Sequence, residues 1–148
     1  MDKDIEEIDG ACHCGSVRFR VRLLDGLHTA RRCNCSYCRM RGAVAVSAPV
    51  GALEVVEGAD VLTLYQFNTM EAKHWFCSRC GIYTHHQRRR YTDEYGVNVA
   101  CLAGLSPFDF EEVPVRQGPV DGQDATGKKP SGVAGWVKFV PNKDVSSA

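Results

Sequence analysis

Residues 10–23 read GACHCGSVRFRVRL, and the two halves of that stretch predict different things. From Ser16 onward the chain alternates: Val17, Phe19, Val21 and Leu23 fall on one side, Ser16, Arg18, Arg20 and Arg22 on the other. A period of two with one apolar face is the pattern of a half-buried strand. Just before it, Cys12 and Cys14 flank a single residue and Gly15 follows, a turn that can aim two sulfurs at one point. A strand entered through a pair of cysteines predicts a mainly β chain braced by metal.

Closely spaced sulfurs recur twice, as Cys33, Cys35 and Cys38 in CNCSYC and as Cys77 and Cys80 in CSRCG, so seven of the eight cysteines fall in tight groups. Thiolate is the ligand zinc prefers, and seven of them imply two ions. Cys12, Cys14, Cys77 and Cys80 together make a closed four-sulfur site, structural in kind, with Gly15 and Gly81 suited to the turns around it. Cys33, Cys35 and Cys38 make a three-thiolate face with one corner open to a thiol, a water or a carbonyl, which is the arrangement that can do chemistry. A fourth protein ligand, Cys101, His85 or His86, would instead close that site and make it structural too. Cys101, in the apolar run VNVACL, reads as a small buried hydrophobe. His85 and His86 face opposite ways if they lie on a strand, so at most one looks into a pocket, and His13 reads as exposed.

Shorter strand-like runs follow at residues 43–47, 53–56, 61–67, 73–76, 82–85, 95–102 and 136–140, punctuated by glycine and proline. Helix signals are scarce; SPFDFEE, with Ser106 as cap and Pro107 at the first position, supports a turn or two. One domain is expected over residues 8–141, with a mobile Gly/Pro/Asp/Lys-rich loop at about 117–135 and a frayed tail at 142–148.

The 148 residues and 44% hydrophobic content suffice for one real core. With 18 basic and 18 acidic residues there is no global field to draw the chain to nucleic acid or membrane. No segment approaches the length of a membrane span, and MDKDIEEID at the start is acidic and lacks the apolar stretch of a secretory signal. The reading is therefore cytoplasmic, with reduced thiols held by metal rather than a disulfide framework. The arginines gather near the sulfurs: Arg31, Arg32, Arg39 and Arg41 around the central group, Arg79 and the run Arg88, Arg89, Arg90 at or after the last. Either they offset the charge of zinc thiolates, or Arg32, Arg39, Arg41 or the later run receive carboxylates of an acidic substrate. Edge strands would allow a homodimer, though no residue demands one.

GACHCGSVRF, CNCSYCR and WFCSRCGIYTHH, in this order and spacing, resemble the glutathione-dependent formaldehyde-activating enzyme family, which is related to centromere protein V, over residues from about 10 to 114. The resemblance implies a β-tent fold of small antiparallel sheets pinned by a structural zinc on Cys12, Cys14, Cys77 and Cys80, with a catalytic zinc on Cys33, Cys35 and Cys38. It implies a carbon–sulfur lyase run in reverse, condensing glutathione, or another small thiol, with formaldehyde or another small aldehyde to the S-hydroxymethyl product. Arg32, Arg39 and Arg41 would then orient the two carboxylates of glutathione. A zinc-stabilised binding module and a thiol or metal sensor are the alternatives.

Overall fold

The computed structural model describes residues 1–89, 91–118 and 132–145. Most of the loop expected at 117–135, the last three residues of the tail and Arg90 lie outside the described residues. The strands are β1 (Glu7–Ala11), β2 (Arg18–Arg22), β3 (Arg32–Cys33), β4 (Ala45–Pro49), β5 (Leu53–Glu57), β6 (Leu62–Tyr65), β7 (Lys73–Cys77), β8 (Tyr83–Gln87), β9 (Glu94–Asn98), β10 (Glu112–Arg116) and β11 (Val133–Lys138). One short helix, α1 (Ser36–Arg41), follows β3. The protein is thus mainly β, as expected.

The strands form three small sheets, in the orders β1-β2-β5, β11-β10-β3 and β4-β9-β8-β7-β6. Pairing is antiparallel except between β10 and β3, where Val115 lies beside Arg32 and Arg116 beside Cys33 in parallel register. The alternation seen in the sequence decides which face of β2 goes inward. Val17, Phe19, Val21 and Leu23 are buried, and the last three join Leu27, Val46, Ala48, Val97, Val99 and Phe110 in the main core. Burying each such side chain stabilises by roughly 1.5–3 kcal/mol. Val17 instead packs with Cys12 and Cys77 in a second cluster beside Val61, Leu62 and Cys80.

β1, β3, α1 and β10 have no counterpart in the sequence reading, and two expected strands have other bounds. β1 forms from EIDGA with Ile8 and Gly10 turned inward, Ile8 packing on the core, while on the outer face Arg20 of β2 reaches Glu7 at 2.8 Å and Asp9 at 3.1 Å. The extended run at 95–102 stops at Asn98, whose side chain accepts from the Ala100 amide and starts a 3-10 turn over Val99–Cys101. The last strand begins earlier than residue 136, at Val133, and pairs with β10, which the sequence reading lacked. The expected turn at Ser106 is present: its hydroxyl accepts from the Phe108 amide while Asp109 accepts from the Ser106 amide. No helix among the described residues is long and apolar enough to cross a membrane.

Candidate metal centres and the adjoining cavity

Cys12 and Cys14 sit on the turn between β1 and β2, and Cys77 and Cys80 on the turn from β7 to β8. Gly15 and Gly81 take positive φ, 78° and 76°, and their amides close the turns onto the carbonyls of Cys12 and Cys77. The four sulfurs all lie within 4.8 Å of one another, with Cys12 to Cys14 at 3.7 Å and Cys14 to Cys77 at 3.8 Å. Tetrahedral zinc with bonds of 2.3 Å would set its sulfurs about 3.8 Å apart. The donor set therefore fits such an ion. The Val17 amide donates to Cys12 Sγ at 3.2 Å.

The second group is built by α1. Cys33 ends β3, Cys35 is the N-cap of α1, and Cys38 lies one turn in, its amide donating to Cys35 Sγ at 3.4 Å. Gly42, left-handed at φ 71°, closes the helix by donating to the Cys38 carbonyl. The Cys35 amide lies 3.5 Å from Cys33 Sγ, and all three sulfurs fall within 4.8 Å. Hydrogen bonds from the Cys33 and Cys38 thiols hold the Cys35 thiol well below its ordinary value against burial, while the same pairing pushes Cys33 and Cys38 up. A cation among three sulfurs this close would favour ionisation of all of them. Among the described residues, no fourth Cys, His, Asp or Glu atom lies within that distance of all three.

Of the alternative closing ligands, Cys101 is buried with Sγ 3.5 Å from the Tyr83 carbonyl, and burial pushes its thiol up to about 12. His85 is buried against Trp75, stacked at 4.6 Å. His86 lines a cavity beside the three sulfurs, so the two histidines do face opposite ways. His13 is exposed.

That cavity, of about 550 Å³, has Cys33, Cys35 and Cys38 in one wall. Its size is within the range of small-ligand sites. Among the described residues, six arginines line it (Arg31, Arg32, Arg41, Arg88, Arg89 and Arg116), against one acid, Glu94. Of the arginines named from the sequence around CNCSYC, Arg32 and Arg41 face the cavity, whereas Arg39 is exposed on α1 and does not line it. Arg41 lies 3.8 Å above the Tyr83 ring and 5.0 Å from the Tyr37 ring, and donates to His74 Nδ1 at 2.9 Å and to Cys38 Sγ at 3.6 Å. Burial, then the Arg41 charge, holds His74 down to about 4, so the ring is neutral and its Nδ1 accepts. Tyr37, Phe67 and His74 form an aromatic side of the cavity, with centroids 4.6 to 5.7 Å apart. Tyr83 is buried beneath, its hydroxyl 2.6 Å from His86 Nδ1.

His74, Tyr37, Arg116 and Gly118 were not singled out as cavity residues in the sequence. Gly118 is bound to the sulfur loop: its amide donates to Asn34 Oδ1 at 2.8 Å, and a Cβ added to it would meet Cys35 Cβ at 2.7 Å and Cys33 Sγ at 2.9 Å. Only glycine fits there without movement.

The family model described as glutathione-dependent formaldehyde-activating enzyme matches residues 7–113. A curated protein of Halomonas elongata, provisionally named a glutathione-dependent formaldehyde-activating enzyme, is 38% identical over 82 residues, covering 49% of this chain and 51% of that protein. The chain thus spans about half the length of that relative. A crystal structure of a Rhodobacter sphaeroides protein, a structural-genomics target, is 60% identical with a TM-score of 0.72, covering 73% of this chain and 99% of that one.

Proposed function

The chain belongs to the glutathione-dependent formaldehyde-activating enzyme family, and from that premise we propose that it is a zinc-dependent enzyme of carbon–sulfur lyase type that joins a small thiol to a small aldehyde. Glutathione and formaldehyde are the pair that the family's name supplies. The observation that carries the reading is the three-sulfur cluster opening onto an arginine-lined cavity. Arginines converging on a concave cavity suit a small acidic ligand, whereas a protein or nucleic-acid module would spread them over a face.

Two zinc ions are proposed. Cys12, Cys14, Cys77 and Cys80 would hold one with no position free, pinning the β1–β2 turn to the β7–β8 turn and stabilising a single domain over 8–141. Cys33, Cys35 and Cys38 would hold the other, and zinc there supplies positive charge that favours an ionised substrate sulfur or a polarised carbonyl. The chain's own residues do the placing. Arg32 and Arg41 would take a carboxylate of the thiol, Arg41 already oriented by the Tyr83 ring and His74. Tyr37 and Phe67 would cover the apolar part of the substrate and exclude water. The reaction forms one carbon–sulfur bond, opens the carbonyl π bond, and moves the thiol proton to the new hydroxyl. All eight cysteines are free, which accords with a reducing compartment such as the cytoplasm.

A thiol adds to formaldehyde unaided, so the test is a rate. Exchange NMR should show hydroxymethyl-glutathione formation accelerating in proportion to protein concentration. A rate indistinguishable from that of the protein-free mixture at millimolar substrate and micromolar protein would sink the enzyme reading.

A further inference from the structure

Among the described residues β11 is the edge of the sheet β11-β10-β3, and it stands outside residues 7–113, the span that matches the family model. Both of its faces are apolar. Residues opposed in an antiparallel pair share a face, so Val137 belongs to the core face, across from buried Val113, and Trp136 to the outer face, across from Pro114. On the core face Val137 is 43% and Phe139 42% exposed, and Phe108, 66% exposed, packs on Phe139 with ring centroids 5.2 Å apart. On the outer face Trp136 is 61% and Val140 82% exposed. At about 150–250 Å² per aromatic side chain, these fractions leave roughly 350 Å² open on the three rings alone. That is already within the range of the largest apolar patch on a soluble monomer, about 300–600 Å². With the valines and the strand backbone it nears the roughly 600–1,000 Å² that each partner of a specific dimer buries.

The edge is open along its backbone too. Phe139 donates its amide to the Glu111 carbonyl at 3.0 Å, and Pro114, opposite Trp136, has no amide to give. By alternation Gly135, Val137 and Phe139 bond towards β10, whereas Trp136 and Lys138 turn their N–H and C=O groups away from it. Lys138 is the one charged residue of β11, and it is paired with Glu112 at 3.6 Å, so little on this edge repels another strand.

We infer that β11 pairs with β11 of a second copy of this chain, antiparallel about a two-fold axis at Val137, so that two three-stranded sheets become one. A two-fold axis perpendicular to the sheet makes such a pairing closed and self-complementary. In this register Trp136 lies opposite the partner's Lys138, an ammonium beside an indole. Phe139 lies opposite the partner's Gly135, where the missing side chain leaves room for the ring. Val137 meets its own copy on the axis. Trp136 and Lys138 are also the residues whose backbone groups point to the open edge, so each reciprocal pair can exchange both hydrogen bonds. Neighbouring registers are worse. An axis at Lys138 would oppose two like charges, and one at Trp136 would set Lys138 against Ala134, the residue that the β10–β11 register skips. A partner strand that extends the sheet covers both faces of β11 at once, which matches the exposure of Val137 and Phe139 on one side and of Trp136 on the other. The inference is independent of the reaction, since β10 lies between β11 and the strand that carries Cys33.

The test is sedimentation velocity of the zinc-loaded full chain from about 1 to 100 µM, since a dimer dissociates on dilution. The wild type should reach twice the 16.3 kDa of one chain at the upper end. Trp136→Lys, which sets two ammonium groups opposite each other in both reciprocal pairs, should raise the dissociation constant at least tenfold. Position 136 is exposed on the outer face, so zinc content and circular dichroism should stay those of the wild type. Combining Trp136→Lys with Lys138→Glu makes each pair one of opposite charge and should restore the dimer, now weakened by salt. A wild type that stays monomeric at about 100 µM would overturn the inference. So would a dimer that Trp136→Lys leaves intact, because it would use another surface. A double variant that folds as the wild type does yet remains monomeric would overturn the axis at Val137.

Discussion

Cys14 Sγ and Cys77 Sγ lie 3.8 Å apart although 63 positions separate them in the chain. The two turns that carry them belong to different sheets, β1-β2-β5 and β4-β9-β8-β7-β6. An ion held there couples those sheets directly, and structural zinc in small domains contributes on the order of 10 kcal/mol, comparable with the whole stability of a domain. Cys77→Ser is therefore expected to release one ion and lower Tm by more than 10 °C, followed by near-UV circular dichroism during heating. A Tm within 2 °C of wild type would show that the four sulfurs do not brace the fold.

Cys35→Ser should separate chemistry from folding. Serine is a good helix N-cap, so its hydroxyl can accept from the Cys38 amide as the thiol does now. The fold should persist with Tm changed by only a few degrees, native mass spectrometry should find one zinc fewer, and thiol-dependent activity should disappear. Retention of both ions with full activity would show that Cys35 is no ligand.

The sulfur sites were legible in the sequence because the grouping of Cys12, Cys14, Cys33, Cys35, Cys38, Cys77 and Cys80 is local, and two-residue spacings constrain where sulfurs can point. β2 was legible for the same reason, its alternation being written within eight residues. The helix α1 was not, because none of its six residues is buried and no apolar stripe marks it; the signals that could have found it were Cys35 acting as a cap and Gly42 at the far end. β10 was hidden by Pro114, which breaks a strand pattern yet is tolerated in the strand that forms. Arg31 and His74 gained meaning only from tertiary placement, since neither charge nor aromaticity in the sequence says what will lie opposite.

Gly118→Ala should damage the three-sulfur site selectively. The added methyl would meet Cys35 Cβ at 2.7 Å and Cys33 Sγ at 2.9 Å, so either the loop or the end of β10 must move. Competition with a chromophoric chelator should show roughly 10- to 100-fold weaker binding of one zinc, the range typical of disturbed supporting contacts, and unchanged binding of the other. Weakening of both ions together would mean that the effect is global unfolding.

His85 should make stability fall in mild acid. It is buried against Trp75 and Tyr95, and burial alone holds its pKa down to about 4 from 6.5. The unfolded chain therefore takes up a proton near pH 6.5 that the folded chain refuses until about pH 4. The stabilisation is complete above pH 6.5 and lost progressively as pH falls towards 4, amounting to up to about 3 kcal/mol at the low end. Acid also competes for thiolates, so the informative quantity is a difference: urea midpoints at fixed zinc from pH 7 to 5 should fall less steeply in His85→Phe than in wild type. Equal slopes would place the His85 pKa near its ordinary value and contradict the packing around it.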